Sequence, residues 1–166
     1  MTQQQTHTNN AGTTRMELTE IFYSELFGVL SEEREILESV LDLATRQQQA
    51  LIRFDSDAIE IMVAQHSAYV QSIDAHEQRR IRLLAATFQV STDQARKMSL
   101  RDLASIVDPT HAEELLAIRT MLTAVSEKIQ FVNSVNRVLA LRGRNSIRET
   151  LDHVRSRNAH VVNASL

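Results

Sequence analysis

The sequence predicts an all-α fold. The expected architecture is an elongated antiparallel bundle of three long helices with short connecting helices and a mobile C-terminal amphipathic helix. Three observations carry this. Of 166 residues only three are Gly and one is Pro, and aromatic residues make up 4 %. Sheets need frequent turn residues and favour aromatic and β-branched side chains, so this composition speaks against them. The chain is instead rich in Leu, Ala, Glu, Gln and Arg, which favour helices. Finally, long stretches repeat their apolar residues every 3.5 positions, the period of a coiled-coil seam.

The elements follow in order. Residues 1–15 are polar and rich in Gln, Thr and Asn. They have no apolar surface to offset the ordering entropy and are expected to be disordered. They also lack the apolar core of a signal peptide. A first long helix is predicted from about Met16 to Phe54, with a stripe of Phe22, Leu26, Val29, Glu33, Ile36, Val40, Leu43, Gln47, Ala50 and Phe54. Leu30, Leu37, Leu41 and Leu51 broaden that face toward a bundle.

Asp55-Ser56-Asp57 reads as a break and restart, since Asp and Ser side chains accept the free N–H groups of a first helical turn. A second helix from about Asp57 to Phe88 carries Ile59, Val63, His66, Val70, Ile73, Glu77, Arg80 and Leu84. The short link makes it an antiparallel neighbour of the first. The connection over 89–109 holds two capping signals, Ser91-Thr92-Asp93 and Ser99 with Asp102. Leu100, Leu103, Ile106 and Val107 give it an apolar face to cover the end of the bundle. Pro109 suits the start of a third long helix.

That third helix, about Thr110 to Arg142, has the clearest repeat: Leu115, Ile118, Leu122, Val125, Ile129, Val132, Asn136 and Leu139, in alternating steps of 3 and 4. Gly143 reads as a C-cap or hinge. A short basic helix from about Arg144 to Asn158 follows, with Ile147, Leu151 and Val154 on one face. The domain reading is thus a disordered segment over 1–15, a helical bundle over 16–142 and a C-terminal amphipathic segment over 143–166.

Charge is unevenly spread. Residues 137–166 hold six arginines against Glu149 and Asp152, a net +4, while the whole chain carries −3, which leaves −7 on the rest. A basic tail on an acidic body suits an acidic partner surface or a solvated helix face. It lacks the interleaved aromatics of a nucleic-acid binder, and the chain as a whole is acidic, so no nucleic-acid partner is expected. No apolar run approaches the roughly 18 residues of a membrane span. The last helix has no Trp or Phe to anchor it in a bilayer surface, so no membrane insertion is expected.

Little in the sequence suggests a reaction centre. With no cysteine, disulfides, thiol catalysis and Cys-ligated zinc are excluded, and a cytoplasmic location is favoured. None of the six histidines has metal-ligand spacing; His66, on the second stripe, reads as an interior or boundary residue. Glu33 and Glu77 on their stripes read as partners for Arg80 or other bundle arginines rather than as a catalytic pair. The expectation is no enzyme and no cofactor.

Two stretches resemble a known family. Helix two holds Glu77, Arg80 and Leu83 as E-x-x-R-x-x-L. Helix three ends with Asn133 and Asn136 as N-x-x-N, then Val138 and Leu139, with Ile147 and Leu151 beyond. Together with Leu37, Leu41 and Ala50-Leu51 followed by Asp57, this is similar to the FlgN family of flagellar export chaperones, over roughly residues 17–158. The resemblance implies a cytoplasmic chaperone of type III secretion. Its partners would be the hook-associated junction proteins FlgK and FlgL and the flagellar export apparatus. Its client site would lie in the C-terminal region, here Leu139, Ile147, Leu151 and Val154, with Arg144 and Arg148 flanking.

Asn133 and Asn136 have two readings: register-setting polar residues in the seam, or hydrogen-bonding groups for a client backbone. The competing class is a structural coiled-coil adaptor. A homodimer is one arrangement that would bury the apolar face of the last helix.

Overall fold

A computed structural model describes residues 20–163, with side chains through residue 155. The disordered segment expected over 1–15, the helix start at Met16, and the side chains of Val161 and Val162 lie outside the described residues. Five helices make up the described residues: α1 Glu20–Arg53, α2 Ser56–Phe88, α3 Thr92–Lys97, α4 Leu100–Ile106 and α5 Pro109–Asn163. Among the described residues there is no strand.

The breaks fall where side-chain capping predicts them. Phe54 takes left-handed backbone, φ 55°, and Asp55 Oδ1 accepts the Ala58 N–H at 3.0 Å to restart the chain as α2. Ser91 and Gln94 form a reciprocal capping box at α3. Ser99 and Asp102 do the same at α4, with Asp102 N–H donating to Ser99 Oγ at 3.2 Å and Ser99 N–H to Asp102 Oδ2 at 3.0 Å. Asp108 Oδ1 accepts the Thr110 and His111 N–H groups at 3.1 and 3.2 Å and starts α5. Each box satisfies donors that a helix start otherwise leaves open.

α1 is the middle helix. It packs against α2 on one side and α5 on the other, and no Cα of α2 comes within 8 Å of one in α5. The α1–α2 pair is antiparallel, as its two-residue turn demands. The α1–α5 pair is parallel: Tyr23 meets His111, Ala44 meets Asn136 and Phe54 meets Gly143. The residue offset between partners is nearly constant, which only a parallel pair gives. The three long helices therefore form a layer, with its two antiparallel outer helices kept apart by α1.

This arrangement corrects the stripe expected on α2. Val63, His66 and Val70 are exposed. Ile59, Ile73, Glu77, Arg80 and Leu84 of the expected stripe are half-buried or buried, and Met62, Tyr69 and His76 join them, because α2 has one long neighbour rather than two. The expected ion pairs of Glu33 and Glu77 are also replaced. Glu32 makes the cross-helix contacts, with Arg79 Nη1 at 2.9 Å and His76 Nδ1 at 3.3 Å.

The core is concentrated at one end. Phe22, Leu26 and Leu30 of α1, Ile81 and Leu84 of α2, Leu100 and Leu103 of α4, and Leu115 of α5 form one buried cluster. α3 packs on α2 and α4 on α5, so the connection closes this end as the sequence suggested. The α5 stripe from Leu115 to Leu139 is buried or half-buried throughout.

The C-cap or hinge expected at Gly143 does not form. α5 runs without a break from Pro109 to Asn163, and Gly143 keeps ordinary negative φ. The glycine neither caps the helix nor separates a fourth one. A single glycine costs a helix only about 1 kcal/mol relative to Ala, too little to end one that good helix formers continue on both sides.

Candidate functional site

The open end of the layer lies opposite the closed core, where α1 turns into α2. There α5 does not stop with its neighbour. Gly143 lies beside Phe54, just past the last residue of α1. The twenty further residues of α5 extend beyond that level, about 30 Å at 1.5 Å per residue.

Two adjoining apolar hollows mark the place. One, of about 320 Å³, lies between Leu51, Phe54 and Ile59 on one side and Leu139, Gly143, Arg144 and Ile147 of α5 on the other. The second, of about 390 Å³, continues outward along Ile147, Thr150 and Leu151, again against Phe54. Phe54 and Ile147 are common to both.

Phe54 is positioned by local backbone. The left-handed turn that ends α1 throws its ring across α5, where it stays 65 % exposed. A Cβ on residue 143 would lie 3.3 Å from Phe54 Cε1, so the glycine lets the ring lie close to the helix. The stripe pattern puts Phe54 last on α1, and Gly143 by itself reads as a C-cap or hinge. The signal that could have joined them is the Phe-Asp-Ser turn.

The expected site residues divide. Leu139, Arg144 and Ile147 are brought together in the first hollow, and Leu151 extends it. Ile147 is 57 %, Leu151 52 % and Val154 48 % exposed. They continue, beyond the end of α1, the α5 face that α1 covers lower down. Arg148 is exposed and Val154 lies further out, neither in contact with the hollows. Asn133 is exposed and apart from them.

Asn136 is in the core. It is 6 % exposed, and its Nδ2 donates to the Ala44 carbonyl at 2.8 Å. That is the register-setting arrangement, here between two parallel helices of one chain. Its Oδ1 is buried with no partner.

No group of His, Cys, Asp and Glu among the described residues could hold a metal ion. The most perturbed titrating groups sit at the opposite end. There the Asp108 carboxylate accepts from His111 Nδ1 and from the His111 N–H. Those bonds pull its pKa down to about 2. The His111 ring stacks on Tyr23 with centroids 3.5 Å apart. Burial, then the Asp108 carboxylate, pushes the Tyr23 phenol above its ordinary value. This trio joins the starts of α1 and α5. It is away from the hollows, and its contacts are those of a structural clasp.

No described helix is long and apolar enough to cross a membrane. Neither the curated proteins nor the solved structures compared with the chain give a match. The family model described as FlgN protein does match, over residues 16–164. That span takes in all five helices, the clasp, the seam and both hollows, and on it the chain belongs to the FlgN family of flagellar export chaperones.

Proposed function

We propose that this protein is a cytoplasmic chaperone for hook-associated proteins of the FlgK and FlgL type. It holds them unassembled and delivers them to the flagellar type III export apparatus. It acts by binding rather than catalysis, needs no cofactor, and seats the client on Leu139, Ile147, Leu151 and Val154, with Phe54 as the opposing wall. Arg144 and Arg148 border that seat. Asn133 lies on the same helix as an exposed hydrogen-bonding group, and Asn136 serves the client indirectly by holding α5 in register.

The observation that carries this reading is the apolar face of α5 continuing bare past the end of α1. Three half-exposed aliphatic side chains at helical spacing form a surface that a client's amphipathic segment covers by helix-on-helix packing. Calorimetry with purified hook-associated proteins tests it. Full-length protein should bind one of them in the submicromolar range, and I147D/L151D should weaken binding at least tenfold without lowering the melting temperature. Undiminished binding by that variant would sink the assignment of the seat.

The exposed Ile61, Val63 and Val70 on α2 support a second reading, a structural adaptor that holds a permanent partner along the layer. In that case binding survives both I147D/L151D and truncation after Leu141.

A further inference from the structure

Over residues 137–155 the border of the α5 apolar face is charged on one side only. Each helical residue turns the chain by about 100°. Arg137, Arg144, Arg148 and Arg155 therefore fall within an arc of about 40°, roughly 70° round from the line of Ile147, Leu151 and Val154. The other border holds Ser146 and Thr150, and Thr150 Oγ1 is already spent on the Ser146 carbonyl at 2.9 Å. Glu149 and Asp152 lie further round, away from the apolar line. All four arginines are exposed, and none of the ion pairs among the described residues uses them.

We propose that this arginine row selects a helical segment with acidic side chains along one border of its apolar stripe. The inference rests on the docking reading above and adds the chemistry of the partner. A positive row beside an apolar seat raises the affinity and the association rate of a complementary acidic border, and it opposes a basic one. Its one-sidedness also sets direction. A segment seated the other way round presents its acidic border to Ser146 and Thr150 instead, so the row distinguishes parallel from antiparallel seating.

Three peptides of about twenty residues, enough for roughly 30 Å of helix, test the idea. They share one Leu/Ile stripe and carry Glu, Gln or Lys along the same border. Titrated into the full-length chain at low salt, the Glu peptide should bind about tenfold tighter than the Gln peptide, and the Lys peptide weakest. The difference should shrink at about 0.5 M salt, where the screening length falls to a few ångströms. In R144E/R148E/R155E, with unchanged circular dichroism, the order should reverse.

Equal affinities of the three peptides overturn the arginine row as a selector and leave the apolar seat standing. If none of them binds while hook-associated proteins do, the partner chemistry is wrong but the chaperone reading stands; if those fail too, both fall. A dimer in sedimentation that I147D/L151D dissolves would show a second copy on the seat and overturn the proposal.

Discussion

Asp108 shows how much one carboxylate organises here. It caps α5 through two backbone N–H groups and holds the His111 ring flat against Tyr23. Its pKa falls from 3.8 to about 2, so the folded state favours the ionised form. The stabilisation is fully present above the unfolded value near pH 4 and drains away as pH falls toward 2. In D108N that acid-limb loss should disappear from a plot of melting temperature against pH. Asn still caps a helix, so the neutral-pH cost is confined to the weaker hold on His111. An unchanged acid limb would mean that other carboxylates govern it. Tyr23 has the opposite sign: its raised value adds stability below pH 10 that is lost as the phenol ionises. Asn136, by contrast, matters through position more than through energy. One of its amide groups is matched and the other is buried without a partner, a combination that lowers stability but penalises every other register of the seam.

At the scale of elements, α5 is one rod although its sequence carries a glycine two-thirds of the way along. Replacing that glycine tests the rod directly. Alanine should add up to about 1 kcal/mol of helix stability. The clash it meets is only with the tip of the exposed Phe54 ring, 3.3 Å away, which has room to turn. G143A should therefore melt at the same or a higher temperature, and amides around Leu139–Ile147 should exchange more slowly. A loss of stability would mean that the close approach of Phe54 counts for more than the geometry suggests.

The stripes of α1 and α5 were legible in the sequence because both line the long seam between these two helices, and a 3.5 repeat reports a continuously covered face faithfully. α2 was not. Its residues support two overlapping stripes, and only the absence of α5 across from it decides which is buried. Periodicity names a face but not a direction, so the parallel run of α1 and α5 was invisible too. Of the expected seat, Leu139, Arg144 and Ile147 converge because Leu139 and Ile147 lie on the apolar side of α5 and Arg144 borders it. Phe54 was visible only as the end of the α1 stripe, because its place beside α5 comes from a left-handed turn, which the stripe pattern does not encode.

Taken whole, the molecule is unevenly stabilised along its length. The cluster of Leu26, Leu84, Leu103 and Leu115 is sealed at one end, while the far half of the layer has few fully buried side chains. L103A, which empties a site with no exposure, should cost about 2–5 kcal/mol in urea unfolding. V63S, on the bare side of α2, should stay within about 0.5 kcal/mol. Similar losses from both would contradict a core gathered at one end.

The parallel pairing of α1 with α5 has a consequence for the order of assembly. The α1–α2 hairpin joins neighbours in the chain and closes through a two-residue turn, so it forms at small loop entropy. The α1–α5 seam joins residues separated by the whole of α2, α3 and α4, as the 92-position gap between Ala44 and Asn136 shows, and contacts of that separation are slow to form. The hairpin should thus be in place before the seam zips. The bare end of α5 follows these elements in the chain, so during synthesis it leaves the ribosome only after the hairpin and the connection have emerged.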